Sequence, residues 1–326
     1  MRAVVVESPG KAPVLRVAEV PAPGLGAGEV RIRVAAAAVN RADLMQAAGH
    51  YPPPPGASEI LGLECAGEVM EVGNGVSGWK PGDRVMALLA GGGYAEQVVV
   101  DAGSVLPVPA GLDLEQAAAV PEVFLTVFLN VFQLAAFPER GMILVHGGGS
   151  GIGTAAIQLV REAGGRIFVT AGSAEKCGRC LELGAERAVN YRDEDFVPIC
   201  REATGGAGVD VILDHIGAKY LERNLEALTV GGRLVIIGLM GGAKAEVDLA
   251  RLLMRRLQVI GSTLRARPPA EKADLVEAFL ARFGPALDAG RVSPVVDRVL
   301  PLDEAGEGHR ALRASEHFGK IVLRVA

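Results

Sequence analysis

Cysteine, lysine and long apolar runs are all scarce in this sequence, and each shortage closes off a class of protein. Four cysteines in 326 residues do not make a disulfide scaffold, so a reducing compartment is expected. Only seven lysines occur, and basic charge is carried mainly by arginine, a bias read as coding or thermal adaptation rather than function. The formal net charge of −5 offers no electrostatic footprint for nucleic acid or an anionic membrane. The longest apolar stretch, Val123 to Phe137, has 15 residues and is interrupted by Thr126, Asn130 and Gln133, too short and too polar to cross a bilayer. Residues Ala3 to Val6 read as a strand, with no apolar signal core after Met1 and Arg2, and a cytoplasmic protein is expected.

What is present is ample core material: 50% of residues are hydrophobic and 22% charged, which excludes whole-chain disorder. The length suggests two domains, and the character of the chain changes near residue 119. Before it, short apolar runs at 3–6, 30–39, 66–72, 84–89 and 95–100 alternate with turn signals such as Pro23-Gly24, Pro52 to Pro55 and Gly91 to Gly93. That pattern predicts many short strands in an irregular barrel or sandwich.

From about 120 to 264, strands at 142–145, 167–170, 187–189, 209–213, 233–237 and 257–261 alternate with helical patterns. Strict alternation predicts an α/β, doubly wound parallel sheet of the Rossmann type. The helix after the first strand carries its apolar face on 152, 155, 156, 159, 160 and 163. The tail, 265–326, holds two helical patterns and strands near 295–299 and 320–325. It is expected to pack back onto the first domain, giving one domain of 1–120 with 265–326 and a dinucleotide-binding domain of 121–264.

The loop His146 to Gly153 reads HGGGSGIG and lies between the first of these strands and its helix, where small residues let a pyrophosphate approach the amides at the helix N-terminus. It is not a strict Gly-x-Gly-x-x-Gly: counted from Gly148 to Gly153, the middle glycine is Ser150. An NAD-selective site needs an acid at the end of the second strand. Here that strand runs into Gly172 and Ser173, and no carboxylate lies between Glu162 and Glu175. Ser173 and Lys176 take that place, with Arg179 one turn on and Tyr191 after the third strand. A missing acid plus a nearby cation favours NADPH, against the blander reading of Lys176 as a solvated charge.

Other chemistries find no support. Cys177 and Cys180 have no second pair or nearby histidine and read as ordinary helix cysteines. His146 and His215 end parallel strands, as crevice residues or as satisfied structural histidines. Ser150 lies on a strand-to-helix turn, but Gly-x-Ser-x-Gly fails at Ile152, and no P-loop occurs.

The segments NRADLMQ (40–46), GLECAGEV (62–69), GDRV (82–85), GGGYAEQVVV (91–100), VDVILDHIG (209–217), GGRLVIIG (231–238) and GKIVL (319–323), with the glycine loop, resemble the medium-chain dehydrogenase/reductase superfamily over essentially the whole chain. Within it the chain is similar to the zinc-independent, zeta-crystallin type of NADPH:quinone oxidoreductase, and NRADLMQAAGHYPPPPGAS and LMGG (239–242) resemble the tumour-suppressor-inducible branch. The resemblance implies a GroES-like catalytic domain beside the Rossmann domain. Zinc members carry a Cys where this chain has Asn40 and a His where it has Leu63, and the four-cysteine zinc lobe has no counterpart, so a metal-free reaction is expected. Without a Lewis acid the acceptor must stabilise its own charge, as quinones and enones do. By resemblance, Asn40 and Tyr51 border nicotinamide and substrate as the candidate catalytic pair, although Tyr51 beside Pro52 to Pro55 also reads as a loop brace. Thr126, Gly148, Ser150, Gly151, Ile152 and Gly153 are implied to hold the pyrophosphate and nicotinamide half, and Ser173, Lys176 and Tyr191 the adenosine phosphate. Leu239, Met240, Leu264, Arg265 and Phe318 are further implied contacts.

The resulting expectation is a cytoplasmic NADPH:quinone reductase, a homodimer through about Leu257–Leu264, with its site in the cleft between domains. Alternatives are an enone, 2-alkenal or enoyl-thioester reductase on the same scaffold, or a non-catalytic, crystallin-like NADPH-binding protein. No strong general acid is evident from the residues.

Overall fold

The structure is a computed structural model that describes residues 1–10 and 13–325. The chain divides into two compact units, Met1–Leu125 with Leu264–Ala326, and Thr126–Thr263.

In the first unit β1 (Arg2–Ser8) and β2 (Val14–Glu19) form an antiparallel hairpin. β3 (Glu29–Ala38), β4 (Glu64–Val72), β5 (Arg84–Leu88), β6 (Gln97–Asp101) and β7 (Val105–Pro107) belong to a larger sheet. β3 shows why the sheet forms. Val30, Ile32 and Val34 turn into the core with no exposure, while Arg31 and Arg33 take the other face. Helix α1 (Arg41–Ala47) follows β3 directly, with Asp43 in its first turn accepting from the Asn40 backbone N–H at 2.8 Å. Short α2 (Leu114–Ala117) and α3 (Pro121–Val127) come next.

The second unit holds β8 (Met142–His146), β9 (Arg166–Ala171), β10 (Arg187–Asn190), β11 (Val209–Asp214), β12 (Leu228–Ile236) and β13 (Gln258–Gly261). Between them run α4 (Gly151–Glu162), α5 (Ala174–Leu183), α6 (Phe196–Ala203), α7 (Leu221–Ala227) and α8 (Leu249–Arg255). All strand pairs are parallel, in the order β10-β9-β8-β11-β12-β13. This is the doubly wound sheet expected from the alternation. Its core joins Leu144, Phe168, Ile212 and Leu234. Strand order reverses between β8 and β11, and at such a switch point the loops leaving the carboxyl ends part and open a ligand crevice.

After the second unit come α9 (Pro269–Asp288), β14 (Val296–Pro301), α10 (Ala305–Ala314) and β15 (Lys320–Arg324). β15 pairs antiparallel with β3 and parallel with β14, so the first unit's sheet runs β14-β15-β3-β4-β5-β7, with β6 also on β3. This pairing brings Lys320 beside Asn40, a neighbourhood that 280 residues of chain separate.

Three local differences from the sequence reading have physical causes. β2 forms no apolar run because its residues are exposed or only half-buried. β12 starts at Leu228, not 233: it crosses Gly231-Gly232 through an irregularity in which Val209 pairs with Leu228 and Val211 with Arg233. Within the apolar stretch at 123–137, α3 gives way to a π-helical segment, Phe128–Leu134.

Candidate active site

The glycine loop leaves β8 at the switch point and enters α4. Gly147 has φ +74°, and a Cβ there would lie 2.4 Å from Cε1 of His215, the residue after β11. Only glycine lets the two strand ends meet so closely. A Cβ on Gly153 would lie 2.4 Å from the carbonyl oxygens of both Gly147 and Gly148, so α4 begins pressed against its own loop. Ser150 caps α4: its Oγ accepts from Gly153 N–H at 3.1 Å and donates to the Gly147 carbonyl at 2.7 Å. Gly148, Ser150, Gly151, Ile152 and Gly153 therefore form one tight turn at a helix N-terminus, the arrangement that favours an anion.

At the ends of the next two strands, β9 and β10 pair Ala171 with Asn190, and Tyr191 N–H donates to the Ala171 carbonyl at 3.1 Å. The Tyr191 ring covers Gly172, where a Cβ would lie 2.4 Å from its hydroxyl oxygen. Ser173 caps α5 by accepting from Lys176 N–H at 3.2 Å. Ser173 and Lys176, at the start of α5, thus lie at one corner of the sheet with Tyr191, which follows β10, and Gly172 follows β9 there.

The loops after β11 and β12 complete this edge. Asp214 is fully buried and accepts from Ile216 N–H at 2.6 Å, Gly217 N–H at 3.0 Å and Asn224 Nδ2 at 3.2 Å, which commits it to shaping its own loop. Burial raises its carboxyl to about 6. Met240 N–H donates to the His215 carbonyl at 3.1 Å, and the Leu239 and Met240 side chains are 55% and 52% exposed, apolar groups left open at the strand ends.

The remaining histidine and cysteine readings resolve toward structure. His146 is fully buried, lies 2.8 Å from Asn224 Oδ1 and 3.2 Å from Thr170 Oγ1, and burial pushes its pKa down to about 3. It stays neutral and acts as a core residue. Cys177 and Cys180 are buried and unpaired, and burial raises both thiols, Cys180 to about 12. Among the described residues no three His, Cys, Asp or Glu side chains converge as a metal site would require.

In the first unit Asn40 is held on every side. Its Nδ2 donates to Glu64 Oε1 at 2.9 Å and to the Ala38 carbonyl at 3.2 Å, and its Oδ1 accepts from Lys320 Nζ at 2.6 Å. Both N–H groups are engaged, so no donor is left over to hold a substrate oxygen. Tyr51 is half-buried against Arg265, whose guanidinium carbon lies 5.3 Å from the ring centroid. Arg265 is fixed in turn by the Ala90 carbonyl at 2.8 Å, the Tyr51 carbonyl at 3.3 Å and Gln46 Oε1 at 2.6 Å. Burial raises the Tyr51 phenol, Arg265 opposes that rise and Glu122 adds to it. Among the described residues nothing hydrogen-bonds the Tyr51 hydroxyl, which is available in a way that Asn40 is not. Leu264 and Phe318 are buried, and Phe318 N–H donates to Asp297 Oδ1 at 2.9 Å. Thr126, in the second unit, is buried with its carbonyl accepting from Asn130 Nδ2 at 2.7 Å.

Sequence reasoning missed the ionisable groups around Asn40. Glu64 has no exposed surface and pairs with Lys320 at 2.7 Å. Asp43, also fully buried, accepts from Gly62 N–H at 3.0 Å and from the Tyr94 hydroxyl at 3.1 Å. Burial lifts it to about 6, against these hydrogen bonds. Glu122 stands next to Glu64 through its backbone N–H, 2.9 Å from Glu64 Oε2. The available signal was a carboxylate inside an apolar run, LGLECAG and AVPEVFL, since Glu is almost never buried without a reason.

Comparison with known proteins covers both units. Residues 26–110 match the family described as Alcohol dehydrogenase GroES-like domain, and residues 151–281 that described as Zinc-binding dehydrogenase. Quinone oxidoreductase of Rattus norvegicus is 30% identical over 326 residues, covering 99% of this chain and 97% of that protein. Highly reducing polyketide synthase AN6791 of Emericella nidulans is 31% identical over 303 residues, 91% of this chain but 12% of the synthase. Among solved structures, a NAD-dependent alcohol dehydrogenase superposes with TM-score 0.87 at 36% identity, over 100% of both chains. Escherichia coli quinone oxidoreductase complexed with NADPH gives 0.86 at 29%, over 99% of each chain. JamJ enoyl reductase gives 0.88 at 26%, over 100% of this chain and 99% of that one.

Proposed function

Because the chain belongs to the medium-chain dehydrogenase/reductase superfamily, we propose that it is an NADPH-dependent reductase that passes a hydride to a quinone-like electrophile. The observation that carries the cofactor choice is the corner of Ser173, Lys176 and Tyr191 at the ends of β9 and β10, with Gly172 in the place of the acid that NAD would need. The pyrophosphate rests on the loop from Gly148 to Gly153, and Thr126, Leu239, Met240, Leu264, Arg265 and Phe318 are the remaining cofactor contacts. Met1–Leu125 with Leu264–Ala326 act as the catalytic domain and Thr126–Thr263 as the cofactor domain, a division five residues later than the one expected at residue 120.

When bound, NADPH supplies the hydride. This chain's residues orient the acceptor and keep water from it. Tyr51 carries the orienting hydrogen bond, since its hydroxyl is unengaged while both N–H groups of Asn40 are taken. Asn40 serves as a rigid wall of the acceptor site. With Asn40 and Leu63 where zinc members have ligands, the acceptor delocalises its own charge.

An enone or enoyl-thioester acceptor is the second reading, favoured by the likeness to the polyketide synthase segment and to JamJ enoyl reductase. The test is titration of the pure protein with NADPH and NADH, then NADPH oxidation with 1,4-benzoquinone, 2-hexenal and crotonyl-coenzyme A. Turnover fastest with benzoquinone supports the reading, and turnover confined to crotonyl-coenzyme A replaces it with the second. Absence of NADPH binding sinks both.

A homodimer forms through β13, an edge strand of the parallel sheet. Val259 on it is 44% exposed, and Leu249, Leu253 and Met254 on α8 just before it are 72–79% exposed. A monomeric mass by light scattering at micromolar concentration overturns this. Four unpaired cysteines suit a reducing compartment, the cytoplasm, and no helix among the described residues is long and apolar enough to cross a membrane.

A further inference from the structure

The first unit encloses two carboxyl groups that the fold treats differently. Glu64 Oε1 accepts from Lys320 Nζ at 2.7 Å and from Asn40 Nδ2 at 2.9 Å, and its Oε2 accepts from Glu122 N–H at 2.9 Å. Every donor there points at a negative charge. Glu122 has the opposite surroundings. Its Oε2 is buried and meets no hydrogen-bond partner, and none of the ion pairs found among the described residues includes it.

The charges that face Glu122 come from several elements. Glu64 on β4 and Asp43 on α1 repel a second negative charge, while Lys320 on β15 and Lys272 on α9 attract it. Arg265, before α9, and Tyr51 also feel its charge. Both lysines are already committed. Lys320 Nζ donates to Val39 O at 3.1 Å, Asn40 Oδ1 at 2.6 Å and Glu64, and Lys272 Nζ donates to Arg265 O at 2.8 Å. Two carboxyl groups therefore share one neighbourhood in which the cation already has its carboxylate, and the other group is left to hold a proton. Burial first, and Glu64 second, raise the Glu122 carboxyl to about 8. The residue as a whole is only half-buried, and its charge is felt at the half-buried Tyr51.

We propose that Glu122 is the proton donor of the reduction. The inference rests on the reductase reading above and adds to it the general acid that the sequence did not disclose. In the step, the acceptor gains two electrons and one proton as a hydride, whose C–H bond on the reduced nicotinamide breaks, leaving NADP⁺. The acceptor is then an oxyanion, a hydroquinone anion or an enolate. The O–H bond of Glu122 breaks as a new O–H bond forms on that oxygen, and the Glu122 carboxylate takes a proton back from water before the next turnover.

The test uses the full-length protein and Glu122→Gln, which keeps the shape and removes the acid. For the wild type, kcat/KM for 1,4-benzoquinone falls as pH rises through about 8. In the variant that limb disappears and the rate at neutral pH drops by about a hundredfold, the lower end of general-acid effects, with NADPH affinity unchanged by fluorescence titration. A second readout needs no turnover. The infrared spectrum of the cofactor-free wild type shows a protonated-carboxyl C=O band that vanishes as pH passes about 8 and is missing from the variant. Full activity with an unchanged pH profile in Glu122→Gln, or no such band in the wild type, overturns the role of Glu122. The band and the wild-type pH profile decide the matter even if the variant does not fold. If the wild type binds no NADPH and reduces no acceptor, the reductase reading is what fails.

Discussion

The two units build their polar sites from different materials. In the second, the candidate cofactor edge is backbone, small residues and helix N-termini: Ser150 and Ser173 cap α4 and α5, and glycines at 147 and 153 let chain segments touch. In the first, the site is an assembly of ionisable groups, the buried Glu64, Lys320 and Asp43 with the half-buried Glu122 beside them, tied together by Asn40 and Tyr94. A backbone site is assembled by local turns and stays neutral until a ligand brings charge. A charged site must be balanced within the fold before any ligand arrives, because an unpaired buried ion costs several kcal/mol. The difference predicts that single substitutions will strike stability hardest in the first unit and cofactor binding hardest in the second.

Lys320→Met is the strongest way to break that comparison. The lysine is 4% exposed and its partner Glu64 has no exposure. Removing the cation leaves Glu64 buried without it, at a cost of about 3–5 kcal/mol. Adding Glu64→Gln to Lys320→Met should return a large part of this loss, since a neutral amide has no charge to desolvate. Urea unfolding of the single and double variants measures both. A Lys320→Met cost below about 1 kcal/mol would mean that the charges are not balanced within the fold.

Gly153→Ala probes the other unit. The new methyl would press on the carbonyl oxygens of Gly147 and Gly148 at 2.4 Å, backbone that cannot swing aside. The expected cost is about 2–3 kcal/mol, toward the upper end for overpacking. NADPH affinity should fall with it, because the amides that meet the pyrophosphate move. Unchanged NADPH binding in a folded Gly153→Ala protein would place the pyrophosphate elsewhere.

Both results bear on what the chain discloses before it is folded. The second unit was legible because its signals are local: α4 follows β8 within a few residues, its Ala155, Ala156, Leu159 and Val160 are buried at helical spacing, and the glycine loop lies in the same segment. Its largest boundary difference is at β12, expected at 233–237, because the strand begins at Leu228 and crosses Gly231-Gly232 irregularly. The charge assembly was not legible. Asn40 and Glu64 are 24 residues apart, and Lys320 joins them from a distance of 280 and 256 residues, a contact created only when β15 pairs with β3. Asn40 entered the candidate catalytic pair by resemblance, and nothing in its own segment reveals that both its N–H groups are taken. Residues that cap, turn and stack announce themselves in short segments, whereas charges that neutralise one another announce themselves only as misfits in apolar runs.

Lys176→Ala sharpens the comparison without disturbing the fold. If the second unit's site is backbone plus one cation, removing that cation should weaken NADPH by about 1–3 kcal/mol and leave NADH nearly unchanged, because only NADPH carries the 2′-phosphate. Ser173 continues to cap α5 through the Lys176 backbone N–H, which the substitution keeps. Calorimetric titration of both cofactors reads the difference. Equal losses for the two would show that Lys176 contributes to binding without touching the phosphate.

The smallest effect, and the one most specific to the first unit, is a dependence of stability on pH. Glu122 has an ordinary value of 4.5 and a folded value of about 8, raised by burial and by Glu64. A carboxyl group whose pKa rises on folding binds its proton more tightly in the folded chain. Its stabilising contribution is therefore complete below about 4.5 and is lost as pH rises through about 8. Asp43 and Asp214, both raised to about 6, act in the same direction but titrate lower. Glu122→Gln cannot lose a proton. Its melting temperature should thus track the wild type in acid, exceed it increasingly as pH rises from about 4.5 to about 8, and keep a constant lead above that, each kcal/mol appearing as about 2–4 °C in a chain of this size or somewhat less. A gap that stays constant from about 4.5 to about 8 would mean that Glu122 is ionised throughout. Above about pH 6 the first unit would then hold Glu122 as a third carboxylate beside Glu64 and Asp43, and its charges would not be balanced by the fold alone.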